Sequence, residues 1–103
     1  RDLSKHPAEF GDFCRRNSGR VLFGSDIVAN PEDMTFDLLA SRYWALRTLF
    51  ETDYDGPSPI VDPDLAMMDP SLPEDSTAHL RGAKMDNSTL QSVYHSATKQ
   101  LLT

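Results

Sequence analysis

Residues 20–24 place the strongest constraint on how this chain can fold. Val21-Leu22-Phe23 is a continuous apolar run without alternation, and Gly24-Ser25-Asp26 ends it. Such a run is the pattern of a strand buried on both faces, as in parallel sheets covered by helices. It is the one convincing strand in the sequence. A lone strand cannot satisfy its own backbone N–H and C=O groups. It must therefore pair with strands outside this sequence, or with part of the chain's own irregular region.

The residues before it read as a helix over 6–16. Pro7 suits a first turn, where a missing N–H costs nothing. Phe10, Phe13 and Cys14 make one short apolar stripe, and Arg15 and Arg16 complement the carbonyl end of the dipole. Asn17-Ser18-Gly19 stops the helix, with Gly19 free to take the left-handed conformation. Helix, short turn and buried strand together form the αβ step of an α/β protein. A second helix is expected over 31–51, with Asn30 as its cap, Pro31 at its first position, and Glu32 and Asp33 at its positive end. Phe36, Leu39, Tyr43, Leu46 and Phe50 form a stripe at helical spacing. Leu38, Trp44 and Leu49 widen it, so burial on more than one side is expected.

Residues 53–85 break the pattern. Pro57, Pro59, Pro63, Pro70 and Pro73 lie here, alongside Ile60, Val61, Leu65, Met67, Met68, Leu72 and Leu80. Structureless loops beyond about 12–15 residues are uncommon, and this one holds more apolar surface than a disordered linker. It reads as an irregular but packed insert. A last helix is expected over 88–102, with Ser88 and Gln91 as a capping box. Leu90, Val93, Tyr94, Ala97 and Leu101 form its apolar stripe.

Charge narrows the partners. Ten Lys and Arg stand against sixteen Asp and Glu, a net charge of −6, with no basic patch. Neither nucleic acid nor an anionic membrane is therefore an expected partner. No apolar run approaches the roughly 20 residues of a membrane helix. Cys14, the single cysteine, can form no internal disulfide, so a cytoplasmic setting is expected. On its apolar stripe it reads as a small hydrophobe. Tyr43-Trp44 reads as core, and Asn87-Ser88-Thr89 as a helix start in preference to a glycosylation site. The acidic residues between Asp53 and Asp75 lack the spacing of an EF-hand loop.

Asp26 is the foremost candidate site residue. Ligands of open α/β sheets and barrels bind beyond the carboxyl ends of the strands. A carboxylate there can bind a divalent cation or take a proton from metal-bound water. The competing reading is a turn, because Gly24, Ser25 and Asp26 are all turn formers. His79 and Arg81 lie in the insert, where they could contact a substrate, Arg81 as a bidentate carboxylate donor. His6 reads as a helix-start residue and His95 as packing or surface.

Arg20–Ile27, reading Arg-Val-Leu-Phe-Gly-Ser-Asp-Ile, resembles the last barrel strand of the amidohydrolase-related (amidohydrolase 2) family, written R-[IV]-L-[FW]-G-[ST]-D. Val93–Leu101 is similar to that family's closing helix, I-[YL]-x-x-N-A-x-x-L, with Ala97 at the Asn position and Thr98 at the Ala position. The resemblance implies the C-terminal portion of a (β/α)8 TIM barrel acting on a small-molecule substrate. It implies a divalent metal, zinc foremost, activating water for attack on a carbonyl in C–N or C–O hydrolysis. Asp26 would be a metal ligand or the acid/base beside the metal. Decarboxylases of the same superfamily are the alternative.

The family's H-x-H pair has no counterpart in His6, His79 or His95, and catalytic zinc normally takes three protein ligands. A complete barrel needs roughly 250 residues, and this chain has 103, opening on Arg1. The expectation is therefore a fragment, inactive and metal-free by itself, whose site the remainder of the barrel completes. The alternative from another class is a small helical interaction module in which the Pro-rich insert is a docking surface.

Overall fold

The computed structural model describes residues 1–25, 27, 32 and 34–103. The fold is mixed α/β, with a single antiparallel strand pair among the described residues. After a 3-10 turn at Leu3–Lys5 come α1 (Pro7–Arg16), α2 (Phe36–Glu51), β1 (Asp55–Val61), α3 (Pro63–Met68) and β2 (Thr77–Arg81). The last helix begins as α4 (Asn87–Gln91), widens into a π-helical turn at Ser92–Ser96, and ends as α5 (Ala97–Leu102).

Local chemistry accounts for several boundaries. Pro7 occupies the first turn of α1, and Gly19 beyond its end has φ +84°, the left-handed conformation expected of it. In place of a start at residue 31, α2 as described begins at Phe36. Its cap is Thr35, whose hydroxyl accepts from the Leu38 N–H at 3.1 Å. The expected cap Asn30, with Pro31 and Asp33, lies outside the described residues. The last helix is capped by Asp86 and not by Ser88. The Asp86 carboxylate accepts from the Thr89 N–H at 2.8 Å, three residues on, and Ser88 donates its hydroxyl to the same carboxylate.

The strand assignment is the main difference from the sequence reading. Residues 21–25 form no helix or strand, and the one sheet among the described residues does not include them. The Phe23 N–H instead donates to the Val93 carbonyl at 3.1 Å. Val21 and Phe23 pack on the core while Leu22 stays 45% exposed, so the run alternates and is not covered on both faces. The true strands lie in the Pro-rich insert. Asp55 pairs with Arg81, Gly56 with Leu80 and Pro57 with His79; the register slips between Pro57 and Val61, around Pro59. A proline has no N–H for a ladder, which confines it to edges and bulges. In a two-stranded sheet every strand has a free edge, so Pro57 and Pro59 are tolerated.

The core gathers Cys14 of α1, Leu49 and Phe50 of α2, Leu80 of β2, Met85, and Val93 of the π-helical turn. Burial pushes the Cys14 thiol up, keeping it neutral and inert. Phe23 bridges two of these elements, meeting Phe50 edge-on at 5.7 Å and Tyr94 edge-on at 5.2 Å between centroids. Tyr43 and Trp44, expected in the core, are 48% and 41% exposed. Tyr43 stacks on Phe23, and Trp44 meets Tyr54 edge-on.

The C-terminal end of α2 is closed by a segment far away in sequence. The N–H groups of Ala83, Met85 and Lys84 donate to the carbonyls of Leu49, Phe50 and Thr52 at 2.7, 2.9 and 3.0 Å. These bonds satisfy carbonyls that a helix end leaves without partners. The approach is so close that a Cβ on Gly82 would stand 1.8 Å from the Thr52 carbonyl oxygen. Lys84 adopts φ +43° to complete the turn.

Candidate functional site

Asp26 lies outside the described residues. Gly24 and Ser25, immediately before it, line a cleft of about 420 Å³ between α2 and the strand pair. One face of α2 supplies Arg42, Ala45, Leu46 and Leu49 at helical spacing. The strand pair supplies Ser58, Ile60 and His79, among others, so Gly24, Ser25 and one expected substrate contact border the same cleft.

The alternation of β2 explains where His79 and Arg81 go. Leu80 points into the core, and both neighbours therefore turn outward. Across the ladder Asp55 also faces outward, directly opposite Arg81. Its carboxylate receives a short contact from His79 Nε2, with Arg81 Nε at 3.8 Å. The hydrogen bond from His79, reinforced by the charges of His79 and Arg81, holds the Asp55 carboxyl below its ordinary range. The two expected substrate contacts are thus brought together, but around a carboxylate that the sequence reading did not single out. Ser4 anchors this strand from behind: its buried hydroxyl donates to the His79 carbonyl and accepts from the Arg81 N–H at 2.6 Å.

His6 and His95 stand apart from the cleft. His6 precedes α1, 3.9 Å from Glu9, and His95 faces Gln91 one turn away on the exposed side of the last helix. Among the described residues no group of three or more His, Cys, Asp or Glu is placed to hold a metal ion. The described side chains therefore do not by themselves make the expected zinc site, and no step through a metal follows from them.

A second polar cluster joins α2 to the last helix. Arg47 Nε and Nη2 reach the Glu51 carboxylate at 2.7 and 3.1 Å, and the Tyr94 hydroxyl donates to it at 3.1 Å. The bonds from Arg47 lead in holding Glu51 low, and they raise Arg47 in turn. Burial, then the bond to Glu51, pushes Tyr94 up to about 12.

Arg42 was missed in the sequence, where a single arginine within an apolar helix carries no signal. Its signal is spatial: it shares a helix face with the cleft-lining Ala45, Leu46 and Leu49. The chain was compared with known protein families, curated proteins and solved structures, and none of them matches it. No helix among the described residues is long and apolar enough to cross a membrane.

Proposed function

We propose that this chain supplies the closing part of a metal-dependent hydrolase of the amidohydrolase superfamily, built as a (β/α)8 barrel. The reading rests on the resemblance of Arg20–Ile27 and Val93–Leu101 to that family's last strand and closing helix. One structural observation carries it: these two stretches, some seventy residues apart, pack on each other. Phe23 donates its N–H to the Val93 carbonyl and sets its ring against Tyr94, and just before the two stretches the Gly19 N–H and Ser18 hydroxyl both donate to the Ser92 hydroxyl. The Gly24-Ser25 end then opens on the cleft that holds His79. In this proposal Asp26 is the metal-side carboxylate, the remaining ligands come from elsewhere in the barrel, and a small molecule is cleaved at a C–N or C–O bond.

The test uses the protein with the remainder of the barrel attached, assayed for bound metal and for turnover of amides, esters and lactones. Unsaturated and aromatic acids in the same panel report decarboxylation, the alternative chemistry of the superfamily. Asp26→Ala is expected to abolish turnover while the melting temperature moves little. Retained turnover removes Asp26 from the mechanism.

A second reading, a free-standing interaction module, is favoured by one observation. The core of Cys14, Leu49, Phe50, Leu80, Met85 and Val93 is assembled wholly within this chain. Sedimentation and thermal melting of residues 1–103 separate the two readings. A monomer that unfolds in one cooperative step supports the module and overturns the barrel assignment.

A further inference from the structure

We infer that the cleft beside Gly24 and Ser25 binds a small ligand with an apolar body and a terminal oxyanion, gripped by Arg42. Two arginines, Arg1 and Arg42, line this cleft; His79 also borders it, but its ring turns outward to Asp55. Arg1 is already engaged, its Nη1 pairing with Asp62 at 3.2 Å. Arg42 has no hydrogen bond or ion pair among the described residues, although it is partly buried in the middle of α2. A partly buried guanidinium with no carboxylate partner among the described residues loses hydration without compensation from them, so an incoming anion supplies a partner.

The rest of the cleft specifies the ligand. Leu46 and Leu49 of α2 face Ile60, Val61 and Leu80 of the strand pair, which gives an apolar slot for a hydrocarbon or aromatic body. Ser58 accepts from the Ile60 N–H at 3.2 Å, and its own hydroxyl proton can be donated. A volume of about 420 Å³ suits a compact small molecule. The planar fork of arginine matches carboxylates and phosphates alike. The class is therefore an apolar carboxylate or phosphate monoester, and a neutral molecule of the same shape is discriminated against. This inference concerns binding alone and stands whether or not the hydrolase proposal does.

The experiment measures binding of 3-phenylpropionate, phenyl phosphate and the neutral 3-phenylpropanamide by calorimetry, with the Arg42 side-chain N–H followed by NMR. At least one anion is expected to bind about tenfold more tightly than the amide, the worth of one charged hydrogen bond. It should also shift the Arg42 resonance. Arg42→Gln should bring anion affinity down to that of the amide, and Arg42→Lys should restore part of it. Tighter binding of the phosphate or of the carboxylate assigns the oxyanion to that class, and either supports the site. Equal affinity for anions and amide, or anion binding unchanged by Arg42→Gln, overturns it. The acid–amide comparison and the Arg42 resonance need only the unaltered protein, so they decide the question even if Arg42→Gln fails to fold.

Discussion

The two ends of α2 share one helical pattern and meet opposite fates. At its C-terminal end Thr48, Leu49 and Phe50 are buried, and the last carbonyls are closed by the 83–85 backbone. At its N-terminal end Phe36, the first residue of the same apolar stripe, is 83% exposed. The stripe states which face of a helix prefers to leave water. Whether that face is covered depends on what else arrives. Here β2, the turn after it and the last helix all reach one end.

The sharpest way to break this contrast is to truncate the same residue type at both ends. Phe50→Ala removes a ring held against Phe10, Phe23 and Tyr94. It should cost about 3–5 kcal/mol, enough to unfold a small domain. Phe36→Ala should change stability by less than about 0.5 kcal/mol. Urea melts of the two variants check this, and comparable losses at both ends would mean that the N-terminal half is covered after all.

Gly82→Ala comes next. The added methyl meets the Thr52 carbonyl oxygen at 1.8 Å and must push the 82–85 segment off the helix end. Overpacking of this kind, with a lost backbone hydrogen bond, costs about 3 kcal/mol. Hydrogen exchange should show the Ala83, Lys84 and Met85 amides losing protection first. If these amides stay as protected as before, the segment is not what holds that end of α2.

The same contrast explains how much could be read from the residues alone. Helix existence and the left-handed Gly19 follow from local patterns, and the structure contains both. The expected burial of α2 on more than one side is not met, since Phe36, Tyr43 and Trp44 are exposed and its buried residues are Thr48, Leu49 and Phe50. The strand pair was hidden because Thr77–Arg81 offers only five residues of alternation, and β1 carries Pro57 and Pro59, which argue against a strand. What rescues them is long-range: the partner strand leaves β1 a free edge. Gly82 is illegible for the same reason, since the atom it must avoid belongs to Thr52. In the candidate site, His79 and Arg81 stood out in the sequence, whereas Asp55, which joins them, needed the ladder register to be seen.

The smallest expected effect tests the tie at the covered end. Glu51 is the last residue of α2, where the helix dipole disfavours a negative charge. Arg47 and the Tyr94 hydroxyl offset this by bonding its carboxylate. The tyrosine is pushed from an ordinary 10.0 up to about 12. A raised folded value means the protonated form is favoured in the fold. The associated stability is therefore fully present below about pH 10 and is lost as pH rises toward 12. Tyr94→Phe keeps the ring against Phe23 and removes only the titrating hydroxyl. At neutral pH it should cost about 1 kcal/mol, the worth of one partly exposed hydrogen bond. Between pH 10 and 12 its stability should fall less steeply than that of the parent. Every other side chain is the same in both proteins, so the difference between the two melting series isolates Tyr94. Parallel alkaline losses would show that Tyr94 and Glu51 are not coupled, leaving Arg47 alone to hold that carboxylate.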